Sequence, residues 1–372
     1  MTKNTTFLVL LVLALSTGAF CAQTTAAQTT TGSITTSPTN PLQEFADYWA
    51  TMLTRVENGM DPLDVIEHLR SESTLDTPDD LTLCAPIPAG GIPGVTNDRF
   101  YFLSEILDGA VPDESPECGH QLACFLSQVS TSPHAFSTLV IDRPCVSTRT
   151  QTIPSRFTLA GVGIDGAGQL IFDLPDNGTA IRFPPGPGSV SQTSVIRDLR
   201  IVGTSCCGQT GIEIKNSSFV DLERIRVSGF AFGLWSEVSY TANLVQSHFF
   251  LNGFNVVLGY DTTAWRIEDT VMSQSGLVGL VFEPTARGHV VYGGRVESNP
   301  FAGMLVHGDM NIVERTWFEG NGSLPTVLAV RMNGDQNHLL GNLYSSQLID
   351  DNGLDNTICH SMQFGPSLDN CP

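Results

Sequence analysis

The stretch RIEDTVMSQSGLVGLVF, residues 266–282, decides how this sequence folds. Its apolar residues form two short clusters, and the polar run Ser-Gln-Ser-Gly at 273–276 separates them. An amphipathic helix would repeat its apolar residues every three to four positions over a longer run, and one long strand would alternate without a break. The stretch therefore predicts two short strands joined by a tight turn.

The same pattern recurs along the chain. With Ile267 as an anchor, equivalent apolar residues follow at steps of 26, 23, 22, 24, 22 and 26 residues: Ile196, Leu222, Val245, Ile267, Val291, Val313 and Leu339. Five positions later each copy again has a large residue: Ile201, Val227, Phe250, Met272, Val296, Phe318 and Tyr344. A unit of this size cannot bury its apolar side alone. The copies are therefore predicted to stack as parallel strands about 4.8 Å apart.

These repeats resemble the right-handed parallel β-helix proteins of the pectin lyase-like class, which include secreted polysaccharide enzymes. The resemblance rests on segments such as IRDLRIVG, DLERIRVSGFAFGL, QSHFFLNGFNVVL and ERTWFEGNG, and it covers roughly residues 137 to 348. It implies an all-β fold, a right-handed parallel β-helix solenoid with a small helical N-terminal cap region. It also implies a polysaccharide partner, but no particular reaction, because the same coil serves adhesins and spikes.

The 372-residue chain divides into five predicted parts. Residues 1–21 combine one Lys, an apolar run and small residues, which is the layout of a secretory signal, and the run is too short to span a bilayer. A Thr/Ser-rich linker is predicted at 22–40, a helical and loop-rich cap region at 41–136, the β-helix at 137–348 and a C-terminal tail at 349–372. The expected location is outside the cell or on its surface.

Charge narrows the range of partners. The formal net charge is −20 at pH 7, and removal of Lys3 with the signal would make it −21. Such a charge argues against nucleic acid and against anionic membrane surfaces. Acceptor sequons for glycosylation lie at Asn177, Asn216 and Asn321.

The cysteines fit a secreted chain. The chain has nine, and loss of Cys21 with the signal would leave eight, an even number that is typical of disulfides. The sequence leaves the pairing open, although Cys118, Cys124 and Cys145 are near in sequence and Cys359 with Cys371 would tie down the tail. No pair of CxxC units is present, so no metal site is predicted.

Three carboxylates are the candidates for catalysis. If each strand alternates, the residues one, two and four positions after the anchor face outward. Glu268 and Glu314 then lie two turns apart, with backbones about 10 Å apart, near the spacing of about 6.5–9.5 Å in inverting glycosidases. Asp269 is an alternative base.

Arginines and aromatic residues on the same side are the candidates for substrate binding. Aromatic faces cover the apolar side of a sugar ring, and arginine forks bind hydroxyl or carboxylate oxygens. The candidates are Tyr292, Arg295, Arg315, Trp317, Arg226 and Phe249. In a lyase or epimerase of uronate polymers, Arg295 or Tyr292 would abstract the proton and Arg315 or a bound cation would neutralise the carboxylate.

The reaction type stays open. Polygalacturonases carry a paired Asp, a Gly-His-Gly and an Arg-x-Lys, and the sequence lacks this pattern, so family catalytic residues cannot be transferred. Hydrolase, lyase and epimerase are alternatives, and so is a non-catalytic carbohydrate-binding or adhesive module. The outward charges also fit an ordinary polar ladder on a solvated sheet. The oligomeric state is not predicted.

Other polar residues have structural interpretations. His248 falls at an inward offset and is predicted to be a hydrogen-bonded core histidine. No cofactor is certain, and calcium is a candidate only at the oxygen-rich turn that contains Asp350, Asp351 and Asp355. The Asn and Gly residues at the corners of the coil are predicted to occur there because they tolerate a positive backbone φ.

Overall fold

The structure is a computed structural model. It describes residues 41–71, 100–107, 118–131, 137–163, 168–175, 177–183, 193–204, 208–322, 328–345, 348–359 and 362–363. The predicted signal and linker lie outside these residues. The described helices are α1 (Pro41–Glu57), α2 (Pro62–Ser71), α3 (Leu103–Leu107) and α4 (Gly119–Thr131). None of these helices is long and apolar enough to cross a membrane.

The rest of the described chain is a coil of parallel strands in three sheets. Sheet A contains β1 (Phe100–Phe102), β2 (Thr138–Ile141), β5 (Thr158–Gly161), β8 (Ser194–Arg197), β11 (Val220–Glu223), β14 (Asn243–Val245), β17 (Arg266–Glu268), β20 (Val290–Tyr292), β23 (Ile312–Glu314), β26 (His338–Leu340) and β29 (Thr357–Cys359). Sheet B contains β3 (Cys145–Ser147), β6 (Gln169–Phe172), β9 (Arg200–Gly203), β12 (Arg226–Ser228), β15 (His248–Phe250), β18 (Val271–Ser273), β21 (Arg295–Glu297), β24 (Trp317–Glu319), β27 (Leu343–Tyr344) and β30 (Met362–Gln363).

Sheet C contains β4 (Gln151–Thr152), β7 (Thr179–Phe183), β10 (Thr210–Lys215), β13 (Phe232–Glu237), β16 (Phe254–Leu258), β19 (Val278–Phe282), β22 (Ala302–Val306), β25 (Leu328–Met332) and β28 (Leu348–Asp351). Each turn of the coil supplies one strand to A, then to B, then to C. The predicted parallel β-helix fold is confirmed.

The inward rows follow the predicted repeat with one exception. Ile267 pairs with Val291 on the following turn, and both are buried. On the preceding turn, however, its partner is Leu244, not the predicted Val245. The predicted alignment of that turn was wrong by one residue because Leu244 and Val245 are both apolar and the pattern alone does not separate them.

Helices α1 and α2 cover the outer face of sheet C. Trp49 of α1 is buried, and its ring packs edge-on against Phe254 with centroids 6.0 Å apart. A Cβ at Gly253 or Gly276 would collide with the indole, so these glycines make room for it. The buried apolar residues of α1 therefore pack on the side of the coil.

Helix α4 closes the first turn. Its residues Leu122 and Phe125 join the core cluster that contains the first strands. The Gln151 amide donates to the Gly119 carbonyl (3.0 Å), and a disulfide joins Cys118 to Cys145. The cap predicted for the N-terminal region is thus this helix, whereas α1 and α2 lie along the side.

Buried asparagines form ladders at the corners. Asn321 Oδ1 accepts the backbone N–H of Asn299 (3.2 Å), and Asn299 Oδ1 accepts that of Ser275 (3.1 Å). Because these asparagines do not adopt positive φ, the role predicted for them was wrong: they satisfy buried backbone donors. The prediction is correct for the corner glycines Gly229 and Gly322, which do have positive φ. Asn321 is fully buried, so its sequon is not accessible in the fold, whereas Asn216 is exposed.

The coil extends beyond both expected boundaries. Phe100–Phe102 adds a first strand to sheet A, and the segments 348–351, 357–359 and 362–363 add strands after residue 348. The last step, from Leu339 to Ile358, spans only 19 residues. This short and polar turn does not match the repeat, which explains why the sequence placed it in a tail.

Candidate functional site

The predicted catalytic glutamates lie in one outward row of sheet A. Glu268 pairs with Tyr292 on the next turn, and Tyr292 pairs with Glu314 on the turn after that. The two carboxylates are therefore on the same wall, two turns apart, as predicted. Tyr292 stands between them.

Asp269 and Arg315 occupy the corner between sheets A and B. Both have positive φ, 48° and 55°, and they belong to a column of such residues on successive turns. Thr270 follows Asp269 and is buried, so the chain bends around it before sheet B begins. A Cβ at Gly293 would overlap the Asp269 carboxylate, which therefore lies over the next turn.

The predicted binding residues on sheet B form the next outward row. Arg295 pairs with Trp317, and both are exposed: 55% of the arginine side chain and 39% of the tryptophan are open to solvent. Arg226 lies in this row further toward the N-terminus, separated from Arg295 by His248 and Val271.

Two predicted orientations on sheet B are wrong. Phe249 is completely buried in the core, so it cannot contact a ligand on the outer face. His248 is on the outer face, where its Nε2 lies 2.9 Å from Ser273 Oγ and its ring packs against Phe250. Both errors follow from the one-residue misalignment of this turn. Burial, with Arg226 and Arg295 nearby, lowers the pKa of His248 to about 4.

We call the set Glu268, Asp269, Tyr292, Arg295, Glu314, Arg315 and Trp317 the corner surface. Four of its charged side chains, those of Glu268, Arg295, Glu314 and Arg315, are paired with one another or with neighbouring residues. Arg315 Nη1 donates to the Tyr292 hydroxyl, and Arg315 Nε lies 3.4 Å from Glu314 Oε1. Arg266 Nη2 lies 2.8 Å from Glu268 Oε2. Such exposed pairs contribute at most about 1 kcal/mol each and exchange partners easily.

A second cluster lies on sheet C, at the margin of helix α2. The last residue of a strand, or the residue directly after it, forms a row on successive turns: Lys215, Glu237, Gly259, Glu283 and His307. Arg70 from α2 reaches this row. Its Nη2 lies 3.2 Å from Glu237 Oε2, and its guanidinium stacks 4.6 Å above the Trp235 ring. We call Arg70, Glu237, Gly259, Tyr260 and Glu283 the edge site.

The two carboxylates of the edge site differ in environment. Glu237 is ion-paired with Arg70 and with Lys215, whose Nζ lies 3.2 Å from Glu237 Oε2. Glu283 is only 8% exposed. Burial raises the pKa of Glu283 to about 7, with a smaller upward effect from Glu237, although Arg70 and the Tyr260 backbone N–H oppose the rise. A buried carboxyl group with a raised pKa is the usual form of a general acid.

Exposed aromatic residues lie beside the edge site. Tyr260 is 54% exposed and directly follows Gly259, while Phe219 and Tyr240 are exposed on the two preceding turns. The Tyr240 hydroxyl donates to Asp261 Oδ2 (3.0 Å). Open rings of this kind are suited to the apolar faces of sugars.

The edge site was not predicted, although the sequence contains the signal. The second strands of the repeat align as GIEIK, GLWSE, NVVLG, GLVFE and GMLVH, and their fifth residues form the row described above. What the sequence does not show is that Arg70, far away in the chain, closes over this row. Two residues of α2, Arg70 and Glu67, also act electrostatically on Glu283.

The candidate calcium turn uses its carboxylates within the protein. Asp350 Oδ2 lies 2.9 Å from Arg331 Nε, and Asp351 Oδ1 accepts from the Asn356 amide (2.7 Å). Within the described ranges, no group of three or more His, Cys, Asp or Glu side chains is arranged to hold a metal ion.

The sequence matches no protein-family model and no curated protein. The structure is similar to the enzymatically active domain of tailspike protein 2 from bacteriophage CBA120, with a TM-score of 0.58 and 10% identity over 72% of this chain and 44% of that chain. It is also similar to the Dettilon tailspike protein gp208, with a TM-score of 0.54 and 13% identity over 71% of this chain and 62% of that chain.

A third similar structure is DFA-IIIase from Arthrobacter chlorophenolicus A6 in complex with GF2. Its TM-score is 0.51 and its identity 12%, over 72% of this chain and 87% of that chain. The chain thus spans less than two thirds of either tailspike structure. At these identities the likeness shows the fold alone, a parallel β-helix.

Proposed function

We propose that this protein is a secreted polysaccharide-binding β-helix whose corner surface holds the sugar chain. One observation carries the proposal: exposed Trp317 lies beside Arg295 on the neighbouring turn and two residues after Arg315. An open indole provides a stacking face for a sugar ring. The guanidinium groups next to it supply donors for hydroxyl or carboxylate oxygens.

The preferred ligand is a polysaccharide that carries carboxylates. Arg295 and Arg315 are 55% and 65% exposed, and their pairs with Glu297 and Glu314 are long, at 3.7 and 3.4 Å. Because such pairs contribute little, a uronate carboxylate can replace the protein carboxylate with a better bidentate geometry. Glu268, Asp269 and Glu314 would then accept hydrogen bonds from sugar hydroxyls.

Binding fits this surface better than cleavage. A general acid that works near neutral pH needs a carboxyl group that stays protonated, which burial provides. Glu268 and Glu314 instead lie on the open face, each beside an arginine. We therefore assign them to binding, with Tyr292 between them and Arg226 further along the same side of the coil.

Two findings support a polysaccharide as ligand and a location outside the cell. The similar structures include a tailspike domain described as enzymatically active and DFA-IIIase with bound GF2. Disulfides, such as that between Cys118 and Cys145, are typical of proteins outside the reducing cytosol. Secretion itself rests on the predicted signal at residues 1–21.

Affinity electrophoresis tests the proposal. Gels that contain polygalacturonate or alginate should retard the protein more than gels with inulin or xylan. Trp317→Ala and the double change Arg295→Gln with Arg315→Gln should each remove most of the retardation. Phe100→Ala and Arg55→Gln, at exposed positions elsewhere, are the matched controls. No retardation in any gel would contradict the proposal and favour an adhesive or structural role through protein contacts.

A further inference from the structure

The edge site holds a buried carboxyl group that polysaccharide binding at the corner surface does not use. Glu283 directly follows β19, and its backbone N–H donates to the Leu258 carbonyl (3.0 Å). In the described part of the chain, no cationic side chain lies within ion-pairing distance of its carboxylate. The Tyr260 backbone N–H lies near enough to favour the charged form of the carboxyl group and so to oppose the rise of its pKa. A carboxyl group that is buried to this extent with one backbone donor has hydrogen-bonding capacity left for a ligand.

Gly259 creates a gap between the two glutamates. A Cβ at this position would lie 3.1 Å from Glu283 Oε2 and 3.1 Å from Trp235 Cζ2. Gly259 does not have positive φ, so the backbone conformation does not require glycine. The absent side chain instead lets the Glu283 carboxylate lean toward the turn that carries Glu237.

The spacing of the pair fits a two-carboxylate mechanism. Glu237 and Glu283 are two turns apart in one row, so their backbones are about 10 Å apart. Because Glu283 leans over Gly259, its carboxyl group is nearer to Glu237 than the backbones are. Inverting glycosidases hold their two carboxyl groups about 6.5–9.5 Å apart to leave room for a water molecule.

We infer that Glu283 and Glu237 form a hydrolytic site for a glycosidic bond, with Glu283 as general acid and Glu237 as general base. The Glu283 carboxyl donates its proton to the glycosidic oxygen as the bond from that oxygen to the anomeric carbon breaks. Glu237 removes a proton from the water whose oxygen attacks the anomeric carbon. The products are two sugar chains, one with a new reducing end, and the proton lost by Glu283 is balanced by the one gained by Glu237.

The protonation of Glu283 and the surroundings of Glu237 agree with these roles. At neutral pH a substantial fraction of Glu283 carries a proton because burial raises its pKa to about 7. Glu237 lies in ion-pair contact with Arg70 and Lys215, at the more open end of the row. The neighbouring Phe219, Tyr240 and Tyr260 offer stacking faces, so the substrate is a glycan that runs along the coil.

This inference rests on the proposed function only for the class of substrate, since the edge site lies at the end of sheet C strands and the corner surface at the junction of A and B. Failure of the proposed binding and failure of the inferred hydrolysis can therefore be told apart. Corner-surface variants should lose retention in gels, whereas edge-site variants should lose cleavage and keep retention.

The experiment measures new reducing ends released from polygalacturonate, alginate, inulin and xylan. The native protein should cleave at least one of them, and Glu283→Gln and Glu237→Gln should each lower the rate at least 100-fold. Glu319→Gln, an exposed glutamate on sheet B, is the matched control. Gly259→Ala, which narrows the gap, should also lower the rate. Urea unfolding of each variant verifies that the fold is intact.

Several results would overturn the inference. If the Glu283→Gln variant kept more than a tenth of the native rate of cleavage, Glu283 could not be the general acid. Retention of a polysaccharide without release of reducing ends from any of the four would show binding without hydrolysis, and an unsaturated product would indicate elimination instead. Absence of both retention and cleavage would contradict this inference and the proposed function together.

Discussion

One outer face of the coil is covered by helices, and another is open to solvent. On sheet C, apolar residues such as Phe232, Phe254 and Val281 point away from the core and are covered by α1 and α2. At the corner of sheets A and B, no helix in the described part of the chain covers the outer face, and arginines, glutamates and Trp317 are exposed. The comparison shows that the cover on each face, and not the coil itself, decides which side chains are open to a ligand. A buried carboxyl group occurs where the cover ends.

Two tryptophans sharpen this comparison most. Trp49 is 3% exposed beneath the helix pair, whereas Trp317 is 39% exposed on the open face. Trp49→Ala should lower the free energy of unfolding by about 3–5 kcal/mol because it empties a packed site. Urea denaturation measures this loss. An effect below about 1 kcal/mol would mean that the helices do not stabilise sheet C.

The next largest expected effect is the change in stability with pH that is due to Glu283 in the edge site. Glu283 has a folded pKa of about 7 against an ordinary value of 4.5, so its contribution destabilises the fold as pH rises from 4.5 through 7 and is constant above that. Arg70, Glu237 and Glu67 face it and modulate this effect. Glu283→Gln should therefore stabilise the protein by about 3 kcal/mol at pH 8 and have little effect at pH 4. Urea curves at both pH values test the sign, and equal effects at both would refute it.

The outer face of sheet B, which carries His248, should respond to pH in the opposite direction. The pKa of His248 is lowered to about 4, so its contribution to stability is present above 6.5 and is lost as pH falls through 4. Because the ring is partly open, His248→Gln should reduce acid destabilisation by about 2 kcal/mol between pH 7 and 4. Arg226, Arg295 and Ser273 surround the ring. A variant that loses stability at pH 4 as steeply as the native protein would contradict this assignment.

The smallest expected effect on stability is that of Trp317→Ala. Its ring lies on the open face, so the free energy of unfolding should fall by no more than about 1 kcal/mol. Retention in gels should nevertheless be lost. A large loss of stability with normal retention would show that Trp317 stabilises the fold and does not bind the polysaccharide.

Much of the fold could be predicted from sequence because a stacked coil repeats the same local requirement on each turn. Ile267, Val291 and Val313 are separated by nearly constant steps, and such a series defines both the strands and their inward side. The turn with Leu244 and Val245 shows the limit of this approach. Two adjacent apolar residues fit the pattern equally, and the resulting shift placed Phe249 outside and His248 inside.

The candidate site could be predicted only in part. The row of Glu268, Tyr292 and Glu314 follows from strand alternation alone. The edge site does not, because the ion pair of Glu237 with Arg70 depends on the packing of α2 against sheet C. A repeat pattern indicates which residues share a row, but it contains no information on which distant segment covers that row.

Helix α4 has a consequence for assembly. A coil of parallel strands ends in rows of unpaired N–H and C=O groups, which can template the addition of another chain. The helix packs on the first strands of sheets B and C, and the link from Cys118 to Cys145 holds it there. Reduction of that link should loosen α4 and uncover the first strands, so light scattering should show more association after thiol treatment than before it.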